Sequence, residues 1–118
     1  DLTGSLRTDL GILCAPIITD LTDDQRAPMI ANMMERSLHD PTVRDVRDQF
    51  LGAFSDVFDR VIERGITNGE LRSDIDARRS LASLMGSFLF IRFMSSDKFG
   101  AHQANAILDD FVRTNAPR

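Results

Sequence analysis

Several residue types and patterns are scarce or missing in this 118-residue sequence, and each absence narrows the possible structures. The single cysteine, Cys14, excludes an internal disulfide framework and is compatible with a reducing cytoplasm. No apolar run approaches the about 20 residues that cross a membrane, and the first residues do not have the pattern of a signal peptide. We therefore expect a single cytoplasmic domain with no membrane contact.

Charge and aromatic content exclude a further class of protein. Fourteen basic residues are outnumbered by eighteen acidic ones, which gives a net charge of −4, whereas nucleic-acid-binding domains are usually basic along one face. The chain by itself is therefore a poor candidate for binding DNA. Tryptophan and tyrosine are absent, while eight Phe and five Met are present, so the interior should contain few hydrogen-bonding aromatic rings.

Catalytic and metal-binding motifs are also missing. The two histidines, His39 and His102, lie far apart, and the sequence contains no HExxH, CxxC, glycine-rich phosphate loop or GxSxG pattern. No Glu-x-x-His pair supports a carboxylate metal site in a helical bundle. We therefore predict a protein that is not an enzyme and holds no metal or cofactor.

The spacing of apolar residues predicts helices along almost the whole chain and no convincing strand. Thr3 is a suitable N-cap for a first helix. One apolar face of that helix recurs every three or four residues, at Leu6, Leu10, Leu13, Ile17 and Leu21. Pro16 lies within it and removes one helical hydrogen bond, which predicts a kink or an early end.

The next two helices meet at Asp40-Pro41, where Asp40 is predicted as N-cap and Pro41 as the first helical residue. Residues 22–25 (Thr-Asp-Asp-Gln) have the form of a capping box for the second helix, although Pro28 favours a later start. The third helix is predicted to extend to Thr67. It carries one long apolar face, formed by Val43, Val46, Phe50, Phe54, Val57, Phe58 and Val61.

The segment RGITNGELRSDID, residues 64–76, interrupts the helical pattern. Asn68-Gly69 is a helix stop because both residues tolerate left-handed backbone angles. Asp74 or Asp76 is then the N-cap of a fourth helix, whose residues 81–94 (LASLMGSFLFIRFM) are apolar on nearly every side. Such a helix must be covered on every side. A short chain has little material for this, so a second copy is the expected cover.

These patterns together predict an all-α fold, an orthogonal-type bundle of about five to six helices. The last two helices of each subunit would form a four-helix bundle at a homodimer interface. The residues predicted at this interface are Gly86, Leu89, Phe90, Phe93, Ile107 and Phe111. Gly86 is expected there because a residue without a Cβ lets two helices approach closely. Position 82 is assigned to the interface as the equivalent of a leucine, with no contact specified for it.

Three stretches resemble the C-terminal domain of tetracycline-repressor-type (TetR-family) transcriptional regulators. TGSLRTDL, residues 3–10, is similar to the start of the helix that leaves the DNA-binding domain in that family. RGITNGELRSDID is similar to the segment that joins a long helix to the first interface helix. LMGSFLFIRFM, residues 84–94, resembles that interface helix with its central glycine. The resemblance covers the whole chain in order.

The resemblance implies that residues 1–118 are an effector-binding and dimerisation domain. The family's N-terminal helix-turn-helix domain, which contacts the DNA, is not in this sequence. The implied function is control of transcription by a small, largely apolar effector, in a homodimer. DNA would be a partner only through the missing domain.

The resemblance also implies an effector cavity between the first four helices, for which Met and Phe side chains are suitable because they are apolar and Met is adaptable. The residues that we predict to contact the effector are Cys14, Met33, Phe54, Phe58, Phe88 and Arg92. Arg92 could bind an acidic group, or it could form a structural ion pair. The alternative for the others is ordinary core packing, in a structural dimerisation module that binds no ligand.

Overall fold

Five α-helices make up the fold in the computed structural model, which describes residues 2–118. They are α1 (Leu6–Thr22), α2 (Arg26–Ser37), α3 (Pro41–Thr67), α4 (Ala77–Met94) and α5 (Ala101–Thr114). Residues 2–118 contain no β-strand, and the helices form a bundle with principal extents of 41 × 31 × 23 Å. The all-α prediction and the predicted number of helices are therefore confirmed.

Helix α1 is the centre of the bundle because it packs against each of the other four helices. Its buried face carries Leu6, Leu10, Cys14 and Leu21, in agreement with the predicted periodicity. The core cluster takes further residues from α3, α4, α5 and the loops between them, but none from α2. Helix α2 packs only on α1 and α3, so it forms an arm beside the core, together with residues 41–54 of α3.

Because of the position of this arm, the prediction for the apolar face of α3 holds only in part. The apolar face of α3 was expected to be continuous from Val43 to Val61, but only its second half reaches the core, where Phe58 and Val61 are buried. In the first half, Val46 and Phe50 are each 56% exposed. The pattern is helical throughout, yet α2 is too short and too far to one side to cover both residues.

The predicted N-cap of α1 is wrong, whereas α2 begins at Arg26, in agreement with the later start that Pro28 favours. The N-cap of α1 is Ser5, whose side-chain oxygen accepts a hydrogen bond from Thr8 N at 3.4 Å, because Thr3 uses its hydroxyl to donate to Asp9 Oδ1. The expected capping box of α2 does not form either. Asp23 Oδ1 accepts from the backbone N–H groups of residues 25 and 26 instead, at 2.8 and 3.0 Å.

Pro16 does not end α1, which continues to Thr22. The proline deprives the carbonyl of Ile12 of its helical donor. Both residues are exposed, so water can hydrate that carbonyl. The early end that the sequence suggested is therefore wrong, and the cost of the missing bond is reduced by its place on the outer side of the helix.

The predicted boundaries of α3 and α4 are confirmed. Asp40 caps α3, with Pro41 as its first residue, and Asp76 caps α4 by accepting from Arg79 N at 3.0 Å. At the end of α3, Gly69 alone has a left-handed backbone, with φ +76°, whereas Asn68 has φ −82°. The N–H groups of residues 69 and 70 donate to the carbonyls of residues 66 and 65, which is a Schellman motif.

The residues at the end of this motif contact the start of α1. Glu70 extends its carboxylate over that helix end and accepts from Leu6 N at 3.2 and 3.3 Å, which satisfies a free N–H and places negative charge at the positive end of the helix dipole. Leu6 and Leu71 both pack against Gly65, and Asn68 Nδ2 donates to the carbonyl of residue 4 at 3.3 Å. We call these contacts between residues 3–9 and 64–71 the α1 joint.

Asp9 completes the α1 joint with a buried carboxylate. Its Oδ1 accepts from both the backbone N and the hydroxyl of Thr3, each at 2.8 Å. Burial raises the pKa of Asp9, but the hydrogen bonds from Thr3 and the charge of Arg64 outweigh that effect, so the pKa lies below its ordinary value of 3.8. The ionised carboxylate therefore stabilises the folded state.

We expect Gly65→Ala to destabilise the domain. The added Cβ would lie 2.9 Å from Leu71 Cδ1 and 3.2 Å from Leu6 Cδ1, and both leucines are buried. Overpacking costs about 1–3 kcal/mol, and alanine's better helix propensity offsets about 1 kcal/mol. The free energy of unfolding, measured by urea denaturation, should fall by about 1 kcal/mol.

The control for this substitution is Gly52→Ala in the same helix. Gly52 is exposed, and a Cβ there would meet no atom of the described residues within 4 Å. This variant should therefore gain about 0.5–1 kcal/mol from helix propensity alone. Equal effects of the two substitutions would contradict the close approach at Gly65.

We expect Asp9→Asn to remove part of the acid sensitivity of the fold. Because the folded pKa of Asp9 is lowered, its stabilising effect is present above the ordinary pKa of 3.8 and is lost as pH falls through the folded pKa. The variant should be less stable than the parent by about 1 kcal/mol at neutral pH, and the difference in stability should disappear as the pH falls below the folded pKa of Asp9. Asp56→Asn, at an exposed position of α3, should leave stability unchanged over the whole range.

Candidate functional site

An apolar surface runs along the outer side of α4. Gly86, Phe90 and Met94 are spaced four residues apart and therefore share one side of the helix. Phe90 is 58% exposed and Met94 is 75% exposed, and a Cβ on Gly86 would meet no atom of residues 2–118 within 4 Å. We call this surface, with the half-buried Leu89 and Phe93 beside it, the α4 face.

The predicted interface residues divide between the α4 face, α5 and the core. Gly86, Leu89, Phe90 and Phe93 belong to the α4 face, and Ile107 is half-buried on α5. Phe111 instead belongs to the core cluster of the subunit. The other side of α4, with Leu84 and Phe88, is buried. The helix is therefore covered on one side by its own subunit and uncovered on the other, as an interface helix would be.

The assignment of a leucine equivalent to position 82 is wrong. The residue at position 82 is Ala82, and the leucines nearest to it are Leu81 and Leu84. Ala82 is exposed and lies one turn before Gly86, on the same side of α4. Position 82 therefore offers a methyl group to the α4 face in place of the large side chain that was expected. Both residues at that end of the face, Ala82 and Gly86, are small.

Three of the predicted effector residues lie in the centre of the core. Cys14, Phe58 and Phe88 are at most 1% exposed and belong to one cluster. The rings of Phe88 and Phe99 lie 5.6 Å apart between centroids, at an interplanar angle of 56°, which is a favourable tilted contact. Their packing agrees with the alternative of ordinary core residues, and their contact with an effector stays a prediction.

The thiol of Cys14 has low reactivity in this position. Burial raises the pKa of its thiol to about 11, although the positive charge of Arg7 opposes the rise. The thiolate is the reactive form of cysteine, so at neutral pH this side chain behaves as a small apolar group. Its role in the fold is to fill space between α1 and its neighbours.

Arg92 connects α4 to the end of α1. Its Nε donates to the carbonyl oxygen of Leu21 at 2.7 Å, and its Nη2 donates to Asp24 Oδ1 at 3.3 Å. The first bond satisfies a carbonyl of the last turn of α1, where a cation is also favoured by the helix dipole. Of the two roles that the sequence left open for Arg92, these contacts support the structural one, and its binding to an effector stays a prediction.

A groove of about 320 Å³ lies between α2 and α3. Its lining is formed by Met29, Asn32, Met33, Arg36, Thr42, Val43 and Val46. Among the predicted effector residues, Met33 alone lines this groove. Phe54, which is half-buried, lies deeper along α3, with its ring 6.3 Å from that of Phe50.

The polar residues of this groove, Asn32, Arg36 and Thr42, were not among the predicted site residues. A signal was present, because Met29, Met33 and Arg36 recur at spacings of four and three residues and so share one side of α2. Of these residues, only Met33 was predicted to contact an effector, because of its apolar side chain. The cation at its end indicates a surface with both apolar and charged parts.

Two structural findings bear on other site types. Among residues 2–118, no three His, Cys, Asp or Glu side chains are close enough together to share a metal ion. In the same part of the chain, none of the helices combines the length and apolar character needed to span a bilayer.

Comparison with known proteins points to one family. The family model described as "Tetracyclin repressor-like, C-terminal domain" matches residues 1–111. The match covers α1 to α4 and most of α5, including the α1 joint and the α4 face. The chain matches no curated protein and no solved structure with significance.

The closed surroundings of Cys14 predict slow reaction with thiol reagents. In the native protein at about pH 8, the thiol should react with Ellman's reagent at least about 100-fold more slowly than in urea. The control is Thr19→Cys in a Cys14→Ala background, because position 19 is exposed on the same helix and should react at nearly the unfolded rate. Rapid reaction of native Cys14 would mean that the core around it is open to small molecules.

Proposed function

Because the chain belongs to the tetracyclin repressor-like C-terminal domain family, we propose that it is the dimerising, effector-responsive domain of a transcriptional regulator. A separate helix-turn-helix module of the same protein would contact the DNA, in the cytoplasm of a bacterium. This domain would form the homodimer and respond to a small, largely apolar effector. The acidic net charge of −4 suits a part of the protein that does not itself touch nucleic acid.

The α4 face is the observation that carries the dimer proposal. Contiguous exposed apolar surface on a folded protein marks an interaction site, and Phe90 and Met94 are among the most exposed large apolar side chains. A two-fold axis beside α4 would bring α4 and α5 of each subunit together as a four-helix bundle. Ala82 and Gly86 are the small residues of this surface and would allow the two α4 helices to approach closely.

The regulatory mechanism that we propose is a shift between two arrangements of the dimer. An effector that binds one arrangement more tightly increases its population, and the change is limited by the difference between the two affinities. The spacing of the two DNA-binding modules would differ between the arrangements. Repression or activation would follow from which arrangement fits the DNA.

A purely structural dimerisation module is the second candidate. The observation in its favour is the burial of Cys14, Phe58 and Phe88 in the core, since all three were predicted to line an effector cavity. Native mass spectrometry of the purified chain separates the two candidates. A dimer with a discrete additional mass supports the effector-responsive domain, and a bare dimer that gains no mass from any added ligand supports the structural module.

We expect Phe90→Asp to separate the dimer into folded monomers. The charge would have to be buried when two α4 faces meet, and a central aromatic anchor is often worth about 2 kcal/mol or more. The dimer dissociation constant, measured by analytical ultracentrifugation, should rise at least about 30-fold. Circular dichroism should remain helical, because Phe90 is largely exposed within the subunit.

Phe50→Asp is the matched control. It changes the same residue type at nearly the same exposure, 56% against 58%, but on α3. This variant should remain dimeric. A dimer that survives Phe90→Asp but not Phe50→Asp would move the interface from α4 to α3 and refute the proposed arrangement.

A further inference from the structure

We propose that the groove between α2 and α3 binds a small molecule with an apolar body and one anionic head group, which Arg36 recognises. The inference rests on the proposed function, because it assigns a site and a chemical class to the effector of that domain. It places the effector outside the core, on the arm formed by α2 and the first half of α3.

The shape and lining of the groove suit a small amphipathic molecule. A volume of about 320 Å³ falls at the lower end of the range of about 300–1,000 Å³ for ligand sites. At about 30 Å³ per water-sized unit, it holds about ten non-hydrogen atoms. Met29 and Val46, on opposite sides, are 68% and 56% exposed, so apolar surface is available to a ligand. Two methionines, Met29 and Met33, can adapt to its shape.

Arg36 is the cation of this region whose hydrogen-bond donors are still available. Arg44 donates through Nε to the carbonyl of Ser37 at 3.1 Å, and Arg47 donates through Nη1 to the hydroxyl of Ser37 at 3.1 Å. Arg36 Nη2 lies 3.6 Å from Asp40 Oδ2, beyond the about 3.2 Å of an N–H···O bond. Within residues 2–118 this long ion pair is the polar contact found for the side chain of Arg36, although its guanidinium has five donor hydrogens.

The surrounding polar groups favour a head group that Arg36 can bind directly. Asp40 Oδ1 already accepts from Thr42 N at 3.0 Å and from Val43 N at 3.4 Å, so these N–H groups at the start of α3 are occupied. Asn32 lies one turn before Arg36 on the same side of α2, and its amide can donate a second bond. A carboxylate or sulfonate would therefore replace the long contact between Arg36 and Asp40 with charge-assisted hydrogen bonds.

Binding in this groove would act on the rest of the domain through α1 and α3. Helix α2 contacts no helix other than these two, and both of them contact α4. A ligand that holds α2 at one angle to α3 thus favours one packing of the arm against the bundle. It can shift the dimer equilibrium only as far as its affinity differs between the two packings.

The methionines provide a built-in set of reporters for a direct test. The chain has five. Met29 and Met33 line the groove, whereas Met85 and Met94 lie on α4. Protein with ¹³C-methyl-labelled methionine would be titrated with octanoate, which has an apolar chain and a carboxylate, and separately with octan-1-ol, which has the same chain and no charge. We expect saturable shifts of Met29 and Met33 with octanoate, and at least tenfold weaker binding of octan-1-ol.

Variants then test the role of Arg36. Arg36→Gln should weaken octanoate binding at least about tenfold, because a charge-assisted hydrogen bond is lost, and should leave binding of octan-1-ol unchanged. Arg26→Gln is the control at the other end of α2. Arg26 is exposed and pairs with Asp20 at 3.2 Å, so its loss should not affect octanoate. Equal weakening by both variants would refute recognition by Arg36.

Other patterns of shifts would overturn the proposal. Octanoate that moves Met85 and Met94 but not the groove methionines would place binding at the α4 face. Shifts of Met29 and Met33 on dilution, without ligand, would show that a second copy of the chain covers the groove. No saturable shift with octanoate would exclude this ligand class.

Native mass spectrometry of the same samples keeps the two proposals separate. A dimer with no groove binding would refute the site and leave the proposed dimer intact. A monomer that binds octanoate through Arg36 would refute the dimer and leave the site intact.

Discussion

The position of α1 depends on the close contact between its first turn and the end of α3. Gly65 has no side chain, so Leu6 and Leu71 can both pack against the backbone of α3. Glu70 then accepts a hydrogen bond from Leu6 N and so satisfies an N–H that would otherwise lose its hydration when Leu6 is buried. Because α1 packs against all four other helices, the contacts that set its start also set where the remaining helices can lie.

Polar and apolar contacts divide the molecule into a closed bundle and two uncovered surfaces. Inside the bundle, Arg92 donates to the carbonyl of Leu21 and Asp9 accepts from Thr3. Outside it, the α4 face and the groove between α2 and α3 leave large apolar side chains in water. Since α2 does not contact α4, the two surfaces can be occupied at the same time. Helices α1 and α3 touch both sides, and they are the physical connection on which coupling between an effector and a dimer interface would depend.

Local signals in the sequence predicted where the helices lie better than they predicted which side of each helix is buried. Asp40 and Gly69 were placed correctly, and Asp76 was one of the two predicted N-caps of α4, because capping and left-handed angles are local properties. The later start of α2 was predicted correctly, but its capping box was not, because Asp23 and not Thr22 accepts from the N–H of residue 25. The sequence contained both candidates and could not rank them.

The candidate sites were harder to predict because they depend on which side of a helix finds a partner. Phe88 and Phe90 are residues of the same type two positions apart, yet one is buried and the other is 58% exposed. On a helix that is apolar all round, periodicity gives no reason to choose between them. Which of the two rings is buried depends on the positions of α1, α3 and α5. For the same reason the sequence did not show that Phe58 lies in the core cluster, and its contact with an effector stays a prediction.

The α1 joint brings together two separate stretches of the sequence that carry the family resemblance. TGSLRTDL and RGITNGELRSDID are about sixty residues apart in the chain and meet in the fold. The carboxylate of Glu70 reaches Leu6 N because α3 ends where Gly69 reverses the chain, and Leu6 packs closely because position 65 has no Cβ. A one-residue shift of the α3 end would turn Glu70 away, because successive residues of a helix end differ in direction by about 100°. Gly65, Gly69 and Glu70 therefore act together in the α1 joint. The third stretch, LMGSFLFIRFM, is fixed in turn by Asp76 and by the core on its inner side, which leaves its outer side free to define the α4 face.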